Sequence, residues 1–407
     1  MIKNNIGLMT IAILYISFSI MHAFIPEYFT TTYFLRGALW GEADIEDYKR
    51  FPSRGLAAAK ENTFHFKKNI NEKLVHSASE KITYFASGKP SKITNLESFL
   101  TDNETTAFLI IKNDTILYEK YFNGYSRNSV NTSFSMAKSF LSALIGKAVE
   151  EGYINSLDDP ITNYLPELKE KNMQAITIRH LLTMSSGLSY SDGFLLFGDG
   201  AKTYYPPDLR KIALQETFIK EGPGEHFLYN NYNPLLLGLI LERATRQPVS
   251  AYLENKIWRL LGMEFEGSWS IDSKDSGFEK MESGINARAI DFAKFGRLFL
   301  NKGNWNGKQV LSESWVTEST SPLPVIPSGY YENTKDWALF SNKKGYYSHM
   351  WWGYERKNGE HDFFAMGNFG QFIYVCPSKN LIIVRNGKDY GKVDAWPEIF
   401  YEMANNL

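Results

Sequence analysis

Apolar and polar positions along this chain follow two rhythms, and the places where one gives way to the other divide it into blocks. Strand-like runs come first: Ala107-Phe-Leu-Ile-Ile-Lys112 and Thr115-Ile-Leu-Tyr-Glu-Lys-Tyr-Phe122 flank Asn113-Asp114 and predict a β-hairpin. A helical rhythm follows between Asn131 and Gly152. There Phe140, Leu141, Leu144, Ile145, Ala148 and Val149 recur on one face, Thr132 or Ser133 is placed to cap the start, and Gly152 follows the last periodic residue. Helical signals dominate to about residue 280, with Thr177 capping a short helix and Asn233-Pro234 opening a longer one, Leu235 to Arg246. Ala287 to Asn301 predicts a further amphipathic helix. Strands return in Asp362–Met366, Gln371–Cys376 and Leu381–Arg385, and Val393 to Asn405 predicts a closing helix.

This order predicts a mixed α+β fold: an antiparallel sheet built from early and late strands, flanked by helices, with a mainly helical domain inserted at about 132–280. Residues 26–90 are polar and irregular, and they read as a spacer with a short lead-in strand around Thr63-Phe-His-Phe66 and a helix. Ahead of them Ile6 to Ile25 is a mostly apolar run behind Lys3, long enough to span a bilayer. An uncleaved membrane anchor is favoured there over a cleaved secretory signal, since no Ala-x-Ala site follows; a buried core helix is the third reading. Either of the first two exports residues 91–407, as a membrane-anchored or a secreted domain.

Composition narrows the chemistry. The chain has 407 residues and 43% hydrophobic content, ample for a large core, and its net charge of -1 offers no basic surface for nucleic acid. A single cysteine, Cys376, excludes intrachain disulfides and cysteine-based metal sites. Seven histidines stand at no ligand spacing, so neither a metal nor another cofactor is expected.

The candidate chemistry lies at the start of the Asn131–Gly152 helix. Ser135 and Lys138 are three residues apart and share a face. A hydroxyl beside unpaired N–H groups and the positive helix end, with an amine that can accept its proton once desolvated, is an activated nucleophile. Ser341-Asn-Lys-Lys344 repeats the spacing, but in a polar loop-like stretch. Tyr229-Asn-Asn231 precedes the Pro234 helix: its phenol can take a proton if nearby ammonium groups favour phenolate, and Asn231 can both donate to and accept from a substrate amide. Gly367-Asn-Phe-Gly-Gln371 joins two strands and allows close backbone approach. Each element alone also has a bland reading as cap, loop or tight turn.

Together, in this order, the three elements resemble the serine β-lactamase and penicillin-binding-protein superfamily. The branch they are most similar to is the class C β-lactamase-like one, with its 6-aminohexanoate-dimer hydrolase and esterase relatives. Ile154-Asn-Ser-Leu-Asp-Asp-Pro160, Ile178 to Gly187 and Gly284 to Asp291 add to the resemblance, which runs from about 90 to 405. It implies a β-lactamase/transpeptidase-like fold and an acyl-enzyme on Ser135, with Lys138 and Tyr229 sharing the proton transfers and either one serving as base. It further implies an oxyanion hole from the backbone N–H groups of Ser135 and Gln371, and substrate contacts from Asn231, Asn368 and Gly370. Tyr190 and Trp352 are candidate pocket residues, with core packing as the alternative. The third motif departs from the family's Lys-Thr-Gly, reading Asn368-Phe-Gly370. Without that cation a β-lactam carboxylate loses a charge-assisted hydrogen bond, about 1.5–3 kcal/mol. The expected activity is therefore cleavage of a small amide or ester. A β-lactamase or D,D-peptidase, or a non-catalytic binding module, are the alternatives.

Overall fold

The two strand-rich ends of the chain meet in one sheet in the computed structural model, which describes residues 29–193, 198–323, 345–356 and 359–407. The first part holds α1 (Thr31–Trp40), β1 (Ser53–Leu56), β2 (Lys67–Lys68), α2 (Glu72–Ser79), the β3–β4 hairpin (Thr83–Ala86, Lys89–Lys92) and α3 (Leu96–Asp102). Next come β5 (Thr105–Lys112), β6 (Thr115–Tyr121), β7 (Asn131–Thr132) and α4 (Ala137–Glu150). The helical block adds α5 (Ile178–Leu182), α6 (Asp199–Lys202), α7 (Leu209–Gln215), α8 (Tyr232–Thr245) and α9 (Val249–Leu253). After β8 (Gly267–Ser270) and β9 (Ile285–Ala287) come α10 (Ala289–Leu300), β10–β11 (Asn304–Trp305, Lys308–Gln309) and α11 (Glu313–Thr320). Five strands and a helix finish the chain: β12 (Gly345–Ser348), β13 (Trp351–Glu355), β14 (His361–Gly367), β15 (Gln371–Cys376), β16 (Leu381–Gly387) and α12 (Trp396–Asn406).

The main sheet has the order β12-β13-β14-β15-β16-β5-β6-β2, antiparallel except where β2 joins β6. The early hairpin thus lies against the last strand, as the patterning predicts, with Leu381 opposite Lys112 and Ile383 opposite Ile110. Asn113 and Asp114, at φ 52° and 56°, make the two-residue turn whose twist suits such a hairpin. Strand β15 is buried from end to end because both of its faces are covered. Ile373 and Val375 meet α10 at Gly296, while Phe372 and Tyr374 pack on Phe400 of α12. Alternating residues of a strand point to opposite faces, so an unbroken apolar run belongs in the middle layer.

Several expectations need correcting. Helix α4 is buried on nearly every side, not on one face, because its small residues admit close neighbours. Phe140 stacks on Phe295 of α10 at 3.6 Å, and the Ser139 hydroxyl donates to the Met350 carbonyl at 2.7 Å. Neither Thr132 nor Ser133 caps it: Thr132 pairs with Asn286 in β7–β9, and the Ser133 hydroxyl accepts from Ile285 N. Thr63–Phe66 form no strand; Phe64 and Phe66 instead pack ring to ring, and Phe64 also meets Trp305. Residues 29–90, read as spacer and lead-in, contribute Tyr33, Phe51, Leu56 and Val75 to the buried core, and β1 pairs with β8. The apolar run at 6–25 and Ser341–Lys344 lie outside the described residues. Among the described residues no helix is long and apolar enough to cross a membrane.

Gly146 of α4 shows how tight this packing is: a Cβ there would sit 2.3 Å from the Trp315 ring of α11. Gly146→Ala is expected to destabilise the fold by about 1–3 kcal/mol, the usual range for overpacking, despite the better helix propensity of alanine. Urea unfolding followed by tryptophan fluorescence measures it, and an unchanged midpoint would contradict the packing described.

Candidate active site

The turn that carries Ser135 is strained. Phe134 has φ 43°, a left-handed conformation rare for a bulky residue, and a 3-10 turn from Phe134 to Met136 precedes α4. Phe369, in the loop between β14 and β15, is also left-handed at φ 60°, and the two rings lie 5.0 Å apart. Gly367, at the end of β14, lies against the Ser133–Ser135 backbone. A Cβ on it would lie 2.2 Å from the Ser133 carbonyl oxygen and 3.0 Å from Ser135 N, so only glycine lets the end of β14 run this close to the turn. From Asn131 to Gly146, Ser135 is the only residue that is not buried.

Its hydroxyl opens on a cavity of about 140 Å³ whose walls include Tyr190, Tyr229, Asn231, Gly367 and Asn368. Lys138, in the first turn of α4, is 1% exposed; its Nζ donates to Ser135 Oγ at 2.9 Å and to the Glu282 carbonyl at 3.0 Å. Burial lowers the Lys138 amine to about 7, only partly offset by the negative charges of Glu282 and Asp192. Near neutral pH this amine is therefore divided between its charged and neutral forms. The Tyr229 phenol hydrogen-bonds Ser135, and its ring lies 4.9 Å from Lys138 Nζ. The sequence left phenolate open for Tyr229, but burial pushes the phenol up, and the bond to Ser135 only tempers the rise. A neutral phenol beside a lysine of about 7 leaves the amine as the stronger base.

The remaining candidates divide. Asn231, just before α8, donates to Tyr190 Oη at 3.2 Å and to Thr203 Oγ1 at 3.3 Å. Asn368 and Tyr190 reach the cavity; Trp352 and Gly370 do not line it. Trp352 is 3% exposed and sits behind Tyr229, ring centroids 5.5 Å apart, which fixes the phenol from the rear. Gly370 turns at φ 74° against the Arg385 guanidinium, which donates to its carbonyl at 2.6 Å. Gln371 points its side chain away from the cavity: Nε2 donates to the Gly387 carbonyl at 2.6 Å and Oε1 accepts from Asn386 at 2.9 Å, which pins its backbone.

Three residues escaped sequence reasoning. Tyr390 lines the cavity and donates to the Gly367 carbonyl at 3.3 Å. Asp192 is the single charged side chain among the described cavity walls. Arg385, fully buried, ties the 369–370 loop to Asn103 and Asp389 through carbonyl oxygens and stacks on Trp396 at 3.9 Å. Nothing local marks any of them; only an arginine inside an apolar strand was a usable signal. Two carboxylate–histidine clusters, Glu72–His76–Glu97 and Glu221–Glu225–His226, have the spacing to hold a cation, but neither borders the cavity, and Lys120 bonds both glutamates of the first. A larger cleft of about 600 Å³, walled by Arg179, His180, Glu318 and His349, does not include Ser135.

Reductive ¹³C-methylation followed by NMR is expected to show one lysine resonance titrating near pH 7 while exposed lysines titrate near the ordinary value of about 10.4. Lys138→Arg should remove that resonance. A spectrum in which every lysine titrates above pH 9 would contradict the desolvated environment.

Comparisons with known proteins bear on the family and the fold. The family described as Beta-lactamase matches residues 95–394. A 6-aminohexanoate-dimer hydrolase from Paenarthrobacter ureafaciens is 24% identical over 377 residues, which is 89% of this chain and 90% of that protein. The solved structure of a Bacillus anthracis protein provisionally named 6-aminohexanoate-dimer hydrolase superposes with a TM-score of 0.70 at 23% identity, covering 88% of this chain and 90% of the other. A class C β-lactamase, carrying a tyrosine-to-phenylalanine mutation, gives 0.61 at 15% identity over 83% and 99%. With a sheet and helices of the β-lactamase/transpeptidase kind and a profile match over most of its length, the chain belongs to the Beta-lactamase family.

Proposed function

We propose that this protein is a serine hydrolase that cleaves a small amide or ester through an acyl-enzyme on Ser135. The observation that carries this reading is the 2.9 Å contact between Ser135 Oγ and a desolvated Lys138 amine of about 7. Neutral Lys138 takes the Ser135 proton as Oγ bonds to the substrate carbonyl carbon. The negative oxygen that develops is held by the backbone N–H groups of Ser135 and Gln371, where one such donor contributes about 3 kcal/mol. Collapse breaks the C–N or C–O bond, and the neutral Tyr229 phenol, bonded to Ser135, passes a proton from Lys138 to the leaving group. Water then attacks the acyl-enzyme, its proton returning along the same path to Ser135.

The cavity wall favours linear substrates over β-lactams. Among its described residues there is no cation to hold a carboxylate next to the reacting carbonyl, and the one charge is that of Asp192. An acyl group carrying an ammonium suits that wall better, and linear amides of amino acids, such as the dimer for which two of the similar proteins are named, have this character. A β-lactamase or D,D-peptidase is the second reading, and a non-catalytic module the third.

Incubation with a fluorophosphonate and peptide mass spectrometry is expected to place the label on Ser135, and Ser135→Ala should abolish it. Ester turnover should fall roughly 10⁴-fold or more in Ser135→Ala and about 10²–10⁴-fold in Tyr229→Phe, which keeps the ring but loses the proton relay. Label on another residue would reject the mechanism, and efficient nitrocefin hydrolysis would replace the substrate assignment with the second reading. Since protonated Lys138 cannot accept the Ser135 proton, kcat/KM is expected to fall tenfold per pH unit below about 7.

A further inference from the structure

Behind Lys138 lies a second lysine that the mechanism above does not use. Residues 279–283, leading into β9, are buried throughout, although most are polar. The Glu282 carbonyl accepts from Lys138 Nζ at 3.0 Å, and the carboxylate of the same residue pairs with Lys280 Nζ at 2.9 Å. Lys280 and Glu282 are 1% and 3% exposed. Lys280 Nζ also donates to the Tyr204 carbonyl at 2.7 Å and lies 3.9 Å from the Tyr204 ring and 4.4 Å from that of Phe51. Glu282 Oε1 takes a further bond from the Ser283 hydroxyl at 3.0 Å, while Oε2 has no hydrogen-bond partner among the described residues.

A fully enclosed ion pair is an expensive feature for a core, and apolar residues of similar size commonly replace one without loss of stability. Its position therefore calls for another reason, and the geometry supplies one. We propose, building on the hydrolase reading, that Lys280 and Glu282 are positioning residues whose opposed charges set the proton affinity of Lys138. The Glu282 backbone fixes where the amine sits. Its carboxylate stabilises the ammonium formed when Ser135 is deprotonated, and Lys280 limits that effect so that a neutral fraction of the amine is available before reaction. The other charged or titratable groups facing this cluster are Tyr229 and Asp192 around Lys138, and Arg36 of α1, Asp272 and Tyr204 around Lys280. Lys280 and Glu282 thus link the N-terminal segment, through Phe51 and Arg36, to the reacting hydroxyl.

The test is the pH dependence of kcat/KM for a p-nitrophenyl ester, measured on the whole protein with Lys280→Met, Glu282→Gln and the double variant. Lys280→Met leaves the carboxylate unopposed, so the acid limb should move up by about one pH unit; Glu282→Gln leaves the ammonium unopposed, so it should move down by a similar amount. The double variant, with neither charge, should fall between them. A merely structural role would lower the rate at every pH and leave the limb in place. Coincident limbs in all variants, or shifts of the two single variants in one direction, would overturn the proposal. Should Lys280→Met fail to fold, Glu282→Gln against the double variant isolates the same charge, and the limb must lie lower in Glu282→Gln. Fluorophosphonate labelling of Ser135 in the unaltered protein separates the two failures. A labelled Ser135 with unmoved limbs sinks the role of this pair alone, whereas an unlabelled Ser135 sinks the hydrolase reading and this inference with it.

Discussion

One desolvated amine is what the rest of this architecture serves. Lys138 can stand uncharged near neutral pH only because α4 is enclosed on almost all sides, and that enclosure is built by α8, α10, α11 and the sheet beside them. An exposed lysine at the same spacing from Ser135 would keep its ordinary proton affinity and accept almost nothing. The hydrogen bond to the Glu282 carbonyl then aims the amine at Ser135 Oγ instead of letting it find water. Burial supplies the chemistry, and the carbonyl supplies the direction.

The second constraint is a steric one. The end of β14 has to pass the Ser135 turn at backbone distance, and Gly367, Phe134 and Phe369 share the cost of that approach. Two left-handed phenylalanines in ring contact are costly conformations, on the order of 1–3 kcal/mol each. They persist because the surroundings over-determine them. The Gln371 side chain is tied back to β16, and Arg385 holds the Gly370 carbonyl from below. The β14–β15 loop is thus rigid for reasons that lie outside the cavity.

How much of this was legible in the chain depended on whether the signal was local. Strand rhythm, the Asn113-Asp114 turn and the Thr177 cap are written in neighbouring residues, and so is the Ser135–Lys138 spacing, which a single helical turn converts into contact. The apolar face assigned to α4 is buried, but burial of its opposite side was missed and its cap misplaced because periodicity sees only large apolar residues. Ser139 and Gly146 looked exposed, yet they are the positions where neighbours come closest. The direction of the Tyr229 shift was also out of reach, since it is set by enclosure rather than by which charges stand nearby in sequence. Tyr390, Asp192 and the Lys280–Glu282 pair belong to the site only by virtue of chain crossings that no window of sequence spans.

The pairing of β5 with β16 has a consequence for how the molecule comes into being. Thr105 and Arg385, which bond across that seam, are 280 residues apart in sequence. At ordinary ribosome speeds the partner strand emerges roughly 15–60 s after the hairpin. For that interval one margin of an apolar ribbon, Phe108 to Ile111, has no mate and is open to adventitious strand pairing with other chains. The nascent protein therefore depends on being shielded until its last strand arrives, and a truncation that removes β16 leaves that margin bare for good.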